Sequence, residues 1–311
     1  MTSKIVVIFG PTGIGKTAFA IHLARIFNGE IISADSMQVY KYMDIGTAKP
    51  TQDEQRLIPH HLIDIVSPDE DFQAALYAKL AHQKIHELLN QQKIPFVVGG
   101  TGLYIKALLH GLFSIEPVNP EIIHRLKMVK ETYGNTYLYE QLLQVDPESA
   151  KRIHFNDYIR IIRALSVFES QGIPISELQK AHAFQDTNYQ TLKMGLCMDR
   201  DMLYQRINER VNKMINMGLI DEVKRLIEQG YDPKFKSMQS IGYRHIIQFL
   251  KGELTWEDTL NTFMQDTRHY AKRQFTWFKK EAEVHWMQPD LNHAQHLIHL
   301  FLQGNSLINK K

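Results

Sequence analysis

Four short apolar segments predict the strands of a buried parallel sheet. They are residues 5–9, 30–34, 94–98 and 192–196. The run at 5–9 is unbroken and rich in β-branched residues, which is typical of a strand that is covered on both faces. Segments with apolar residues at helical spacing lie at 18–27, 74–89 and 201–228. The alternation of strands and helices predicts an α/β core in which helices flank the sheet.

The middle of the chain has a different pattern. After the turn-rich residues 116–120, the sequence is helical in character to about residue 183. We therefore predict an all-helical domain at 116–190, inserted into a core made of 1–115 and 191–311. One of its helices begins at Asn156-Asp157 and has Arg160 and Arg163 on one face. These two arginines fit a contact with an acidic partner and a solvated helix face equally well.

The first strand leads into a G-x-x-x-x-G-K-[ST] motif that begins a helix, which is the context of a P-loop. Its glycines let backbone N–H groups turn towards a phosphate, and the helix dipole favours an anion at the same point. Lys16 adds a full charge, and the Thr17 hydroxyl can hold Mg²⁺. The predicted fold is thus α/β, a P-loop NTPase-like core with an inserted helical domain; a glycine-rich hairpin is the alternative. The motif consists of Gly10, Pro11, Thr12, Gly13, Ile14, Gly15, Lys16 and Thr17.

Two further polar residues follow predicted strands. Asp35 ends the second strand, and Thr101 follows the third after two glycines. Ligands of open parallel sheets bind at the carboxyl ends of the strands, so both residues are expected beside the P-loop. Asp35 can be a magnesium ligand, a general base or a helix N-cap; Thr101 can equally be a turn or cap residue.

Charge and composition limit the partners. The net charge of +2 predicts no bulk attraction to nucleic acid. Residues 267–280, however, read TRHYAKRQFTWFKK, with basic and aromatic side chains and no acid. This combination is typical of single-stranded nucleic-acid recognition, and the aromatics also fit an amphipathic core helix.

The single cysteine, Cys197, excludes an intramolecular disulfide and a zinc site made of several thiolates. The histidines lack an H-E-x-x-H motif, and we predict no zinc site from them. His60-His61 is expected in a loop. No apolar run is long enough to span a bilayer, and a cytoplasmic, monomeric protein without a membrane partner is expected.

Several segments together resemble the bacterial tRNA dimethylallyltransferase family, also called tRNA isopentenyltransferases. They are GPTGIGKT, SADSMQVYKYMDIGTAKP (33–50), PHHLID (59–64), VVGGTGLY (97–104), HFNDYIRIIRAL (154–165), IGYRH (241–245) and AKRQFTWF (271–278). They occur in the order of the family and span about residues 4–286. The chain departs from the family at Tyr158 and Ile159, where a proline and a polar residue are common, and at Ile123, where some relatives have a basic residue. Arg125 lies two positions further on.

The resemblance implies a reaction and a set of roles. A dimethylallyl group moves from dimethylallyl diphosphate to N6 of the adenosine 3′ to the anticodon of tRNA. Asp35 is implied as the general base and Thr101 as an orienting partner, whereas the P-loop, with Lys16 and Mg²⁺, holds the diphosphate. The implied tRNA contacts, besides Thr101, are Asp35, Ser36, Met37, Gln38, Ile159, Arg160, Ile161, Ile162, Arg163, Gln239, Ser240, Ile241, Gly242, Tyr243, Arg244, Lys272, Arg273, Gln274, Phe275, Thr276, Trp277, Phe278 and Lys279.

Two other classes fit the P-loop and Asp35 by themselves. One is an ATP-dependent kinase that acts on a nucleoside or a small metabolite, and the other is a nucleotide-binding module without catalysis. The inserted helical domain and the basic aromatic segment disfavour a small-substrate kinase, which needs neither.

Overall fold

A computed structural model describes residues 3–112, 118–182 and 189–304. Within these ranges the strands are β1 (Ser3–Phe9), β2 (Gly29–Ala34), β3 (His60–His61), β4 (Ile94–Gly99), β5 (Tyr189–Leu196) and β6 (Val284–Met287). The helices are α1 (Lys16–Ile26), α2 (Gln52–Leu57), α3 (Ala74–Asn90), α4 (Gly102–His110), α5 (Pro120–Val145), α6 (Pro147–Arg152), α7 (Tyr158–Gln171), α8 (Ile175–His182), α9 (Arg200–Asn216), α10 (Leu219–Glu228), α11 (Tyr243–Leu250), α12 (Trp256–Phe278) and α13 (Leu291–Gln303).

The six described strands form one parallel sheet in the order β3-β2-β4-β1-β5-β6. Residues 5–9 of β1 are fully buried, because β4 and β5 pair with the strand on either side and helices cover its faces. This order places the ends of β1, β2 and β4 next to one another. The sheet with flanking helices that the apolar pattern predicts is therefore confirmed.

Contacts divide the chain into two compact units. The first comprises residues 1–109 and 187–311, and the second comprises 110–186. Each has its own apolar core: Ile8, Leu23 and Ile207 belong to the first, and Leu138, Ile161 and Leu165 to the second. The second unit begins and ends a few residues before the predicted 116–190. Residues 116, 117 and 183, at the edges of the predicted helical stretch, lie outside the described residues.

The structure corrects several details of the predicted elements. The single helix predicted at 201–228 is two helices, because Gly218 adopts a left-handed conformation with φ 96° between them. His60-His61 pairs with β2 as a short strand, not a loop. The strand β6 and the helix α2 have no strong periodic pattern in the sequence and are missed. No helix in the described ranges is long and apolar enough to cross a membrane.

Candidate active site

The P-loop motif lies between β1 and α1, as its sequence context predicts. Gly15 is the N-cap of α1, with φ 96° and no side chain that caps the helix. The first N–H groups of α1 are therefore not bonded to a capping side chain, and the positive end of the helix dipole lies at the loop. A backbone of this form at a helix N-terminus is suited to a diphosphate.

The ammonium group of Lys16 folds back over the loop. Its Nζ donates hydrogen bonds to the carbonyl oxygens of Gly10 and Pro11, at 2.9 Å each. Burial lowers the pKa of Lys16 to about 8; the negative charge of Asp35 opposes this shift, and the positive charge of Arg210 adds to it. An anion in the loop would supply the charge partner that this buried cation lacks.

Helix α9 contributes two further cations near the P-loop. Arg206 points an Nη1 group at the carbonyl oxygen of Ile14, at 3.4 Å. Arg210, one turn later, is half-buried; burial lowers its pKa, and the negative charge of Asp35 opposes this shift. Sequence reasoning missed both arginines, because nearly 200 residues separate them from the motif. The sequence does contain one signal: the two arginines are four residues apart and therefore share a face of α9, next to its buried residues.

Asp35 and Thr101 lie at adjacent strand ends, as predicted. Oδ1 of Asp35 accepts hydrogen bonds from the N–H groups of Met37 (2.8 Å) and Gln38 (3.3 Å). Oδ2 has no hydrogen-bond partner among the described residues. Oγ1 of Thr101 accepts the N–H of Ser36 at 2.9 Å and lies 3.3 Å from the Ser36 hydroxyl. Thr101 thus fixes the backbone directly after Asp35, and Asp35 keeps one free oxygen.

Helix α12 connects these strand ends to the P-loop through one amide. Oε1 of Gln274 accepts the N–H of Thr12 at 2.8 Å, and its Nε2 donates to the carbonyl oxygen of Gly100 at 2.9 Å. Tyr270, one turn earlier, lies beside the side chains of Thr101 and Gln274, and burial together with the nearby Asp35 raises its pKa. The sequence did not predict this position for Tyr270.

Glu222, on α10, holds the DIGT segment in place. Its Oε2 accepts the N–H groups of Asp44 (3.0 Å) and Ile45 (2.9 Å), and its Oε1 accepts the N–H of Gly46 (3.2 Å) and the hydroxyl of Tyr243 (2.6 Å). The residue is 1% exposed. Both oxygens of this carboxylate are used within the protein, and no motif or spacing in the sequence indicates this role.

Lys49 also holds this segment in place through hydrogen bonds of its ammonium group. Its Nζ donates to the carbonyl oxygen of Tyr40 at 2.9 Å and contacts carboxylate oxygens of Asp44 and Asp64, both at 2.5 Å. The lysine side chain is 3% exposed. Two carboxylates and a carbonyl therefore satisfy this buried cation, which fits a structural role for the AKP part of the motif.

The stretches with implied tRNA contacts contain exposed, half-buried and buried side chains. The exposed members are Ile159, Arg160, Arg163, Gln239, Lys272, Arg273, Thr276, Trp277 and Lys279. Five others have buried side chains, and these are Ile161, Ile162, Tyr243, Gln274 and Phe278. Direct contact with RNA through the buried side chains does not fit their packing, whereas contact with RNA through these stretches stays a prediction. The basic aromatic segment is thus both things the sequence suggested: an exposed basic face and an apolar core face.

The other members of the 239–244 and 272–279 stretches are partly engaged within the protein. Arg244 pairs with Asp266 at 2.5 Å, and Phe275 lies under the Lys279 ammonium at 4.7 Å. Ser240 has a buried hydroxyl oxygen that finds no hydrogen-bond partner in the described part of the chain. In the second unit, Arg125 pairs with Glu169.

Taken together, these features define a P-loop protein whose phosphate cradle lies beside a carboxylate with a free oxygen. A family model described as IPP transferase matches residues 38–281. The chain is 50% identical over 301 residues to a tRNA dimethylallyltransferase of Desulfatibacillum aliphaticivorans, covering 96% of this chain and 98% of that protein. It is 48% identical over 293 residues to a tRNA dimethylallyltransferase of Thermoanaerobacter sp. (strain X514), covering 93% of each.

Solved structures agree with these matches. The full-length tRNA isopentenylpyrophosphate transferase of Bacillus halodurans superposes with a TM-score of 0.71 at 41% identity, covering 97% of this chain and 96% of that one. A eukaryotic dimethylallyltransferase captured acting on tRNA gives a TM-score of 0.83 at 30% identity, covering 99% and 81%. The chain belongs to the IPP transferase family.

Proposed function

We propose that this protein is a tRNA dimethylallyltransferase. It transfers a dimethylallyl group from dimethylallyl diphosphate to N6 of the adenosine 3′ to the anticodon, and it releases diphosphate. Family membership supports the reaction class. One observation in the site supports the assignment of roles: Asp35 follows β2 and the P-loop with Lys16 follows β1, so the partly free carboxylate and the ammonium lie at the same end of the parallel sheet. A base and a diphosphate site are therefore neighbours.

The P-loop side of the site stabilises the leaving group. The exocyclic amine of adenine is a weak nucleophile, so the bond from the allylic carbon to diphosphate must loosen before attack is effective. Negative charge then grows on the diphosphate, and fixed cations and N–H groups directed at it lower the barrier. Lys16 and the amides that follow Gly15 are the predicted donors, and Arg206 and Arg210 add two more cations from α9.

Asp35 takes the proton that N6 loses as the new C–N bond forms. Its Oδ1 is held by the N–H groups of Met37 and Gln38, so the carboxylate is oriented and Oδ2 remains available. Thr101 fixes the adjacent Ser36 backbone and, with Tyr270, borders the same strand end. A positioned base of this kind contributes about 10²–10⁴-fold to a rate.

Most ligands of a magnesium ion at this site would come from the substrate, and few would come from protein side chains. Among the described residues, no three His, Cys, Asp or Glu side chains are grouped to hold a metal. Mg²⁺ commonly binds one or two protein oxygens together with substrate phosphates and water. The Thr17 hydroxyl at the start of α1 is the group that would hold it. Bound there, the ion would neutralise diphosphate charge.

The RNA partner contacts exposed basic side chains. In the first unit, Lys272 and Arg273 are exposed on α12, and Lys279 is exposed directly after the last residue of that helix. In the second unit, Arg160 and Arg163 are exposed on α7. Phosphate neutralisation by such side chains makes binding salt-dependent. The target base must leave its stack to reach Asp35. The monomeric state stays a prediction, which light scattering in solution would check.

The test is a prenylation assay with labelled dimethylallyl diphosphate, Mg²⁺ and unmodified tRNA. We expect label in the tRNA and none in a matched tRNA with guanosine at the target position, which lacks the 6-amino group. AMP and ATP serve as parallel acceptors. Labelled AMP with unlabelled tRNA would refute the proposal in favour of a transferase for free nucleotides. Phosphorylation without prenylation would instead indicate a kinase.

A further inference from the structure

The segment before α7 exposes aromatic side chains that the active site does not use. Phe155 is 45% exposed and Tyr158 is 38% exposed. The Phe155 ring lies 4.5 Å from the His154 ring, with 32° between their planes. We call His154, Phe155 and Tyr158 the aromatic platform. Aromatic side chains usually gain by burial, so two exposed rings on a short segment indicate a surface that binds something.

The platform borders an open hollow of about 350 Å³. Its lining residues are His154, Asn156, Asp157, Tyr158 and Ile159. This volume is within the range of clefts that hold small ligands. The side-chain amide of Asn156 has no hydrogen-bond partner among the described residues, and it offers donors and an acceptor together. Asp157 is engaged at the helix start, where its Oδ1 accepts the N–H of Arg160 at 3.2 Å.

Basic side chains lie near the platform, and two of them are paired with acids: Lys130 with Glu131 at 2.9 Å and Arg160 with Asp157 at 3.3 Å. Lys130 places its ammonium 4.9 Å from the centre of the Tyr158 ring. Arg160 and Arg163 are exposed on the first turns of α7, and Arg163 forms no ion pair with a described residue. Exposed rings for stacking and cations for phosphates are the two elements of single-stranded nucleic-acid binding, and a free amide can read the edge of a base.

We propose that the aromatic platform binds an unpaired nucleobase of the tRNA anticodon loop, with Tyr158 as the stacking residue and Asn156 at the edge of the base. The proposal rests on the proposed function, because it takes tRNA as the substrate. It concerns a base other than the one that is prenylated, because the prenylated adenosine is assigned to Asp35, which is not part of the platform.

The experiment measures binding of anticodon stem-loop RNA to the whole chain. Wild type is compared with Tyr158→Ala on a series of RNAs in which each unpaired loop nucleotide in turn is abasic. We expect Tyr158→Ala to weaken binding of the intact RNA about 5- to 100-fold, as stacking residues do. With one abasic RNA, this difference should vanish, because the base that stacks on Tyr158 is already missing. A merely structural role for Tyr158 would weaken binding to every RNA equally and would overturn the proposal.

Matched variants make the outcome specific. Tyr158→Trp keeps a stacking surface and should restore affinity. Ile173→Ala, an exposed apolar residue just past the other end of α7, should leave RNA binding unchanged. In prenylation assays, Tyr158→Ala should raise KM for tRNA and leave KM for dimethylallyl diphosphate unchanged. If wild type prenylates tRNA but Tyr158→Ala binds all RNAs as wild type does, the platform proposal fails and the proposed function stands. If wild type does not prenylate tRNA, the proposed function itself fails.

Discussion

Asp35 and Glu222 both accept backbone N–H groups of the loop that follows β2, but the structure uses them differently. Glu222 accepts three N–H groups and the Tyr243 hydroxyl and is 1% exposed. Asp35 accepts two N–H groups through one oxygen, and its other oxygen has no partner among the described residues. A fully bonded buried carboxylate has no capacity left to take a proton from a substrate. A carboxylate that is fixed by one oxygen and free at the other is oriented for that task.

The largest effect is expected for Asp35→Asn. The amide oxygen still accepts the N–H groups of Met37 and Gln38, so the loop should keep its shape, but the base is lost. We expect kcat to fall about 10²–10⁴-fold, with little change in thermal stability or in binding of dimethylallyl diphosphate. Single-turnover prenylation of tRNA measures the rate, and a thermal melt measures the stability. If kcat stays within a few-fold of wild type, Asp35 is not the base.

Glu222→Gln should have the opposite profile. The amide group of glutamine places N–H donors where backbone donors now point at a carboxylate oxygen, so buried donors lose their partner. We expect a loss of about 2–4 kcal/mol in the free energy of unfolding, measured in urea at neutral pH. The folded fraction should retain kcat within a few-fold. Glu228→Gln, at the exposed end of the same helix, is the control and should be neutral.

The comparison would be reversed if Glu222→Gln lowered activity without lowering stability, and Asp35→Asn lowered stability without lowering activity. A stable Glu222→Gln protein without prenylation activity would mean that Glu222 acts on the chemistry. An Asp35→Asn protein that loses stability and keeps kcat would mean that Asp35 is only a turn residue.

The sequence predicts one side of this comparison and not the other. Asp35 is visible because it follows an apolar strand, as Thr101 does, and the alternation of strands with helices predicts that the strands are parallel. The P-loop is visible because its function needs consecutive residues at fixed spacing. Glu222, Arg210 and Tyr270 are not, because each reaches the site from a helix that is distant in the chain. A charged residue on a periodic helix looks the same in sequence whether it faces water or a buried loop.

The same limit explains the basic aromatic segment at 267–280. Its composition predicts both an RNA-binding face and a core face, but the assignment of each residue depends on which side of α12 packs on the sheet. Gln274 shows this most clearly. It reads as a polar surface residue, and it is buried because Thr12 and Gly100 use both ends of its amide.

A smaller effect is expected from the charge of Lys16 in the active site, and it can be followed by varying the pH. Because burial lowers the pKa of Lys16 to about 8 in the free protein, its positive charge is lost as the pH rises through 8. With tRNA saturating, kcat/KM for dimethylallyl diphosphate should therefore fall about tenfold per pH unit above that value. Lys16→Arg keeps its charge throughout this range, so its profile should lack the break even if its absolute rate is lower. A wild-type profile that stays flat to pH 10 would contradict the assigned pKa or the role of Lys16.

The smallest effect is expected for Tyr243→Phe, which removes one of the four donors to Glu222. The ring stays in place, and only the 2.6 Å hydrogen bond from the hydroxyl to Oε1 is lost. We expect a loss of about 1 kcal/mol in the free energy of unfolding and an unchanged kcat. In the double variant with Glu222→Gln, the second change should cost less than it does alone, because the two residues share one bond. Strictly additive losses would mean that the hydroxyl and the carboxylate do not interact. Glu222 would then be bonded only to backbone N–H groups.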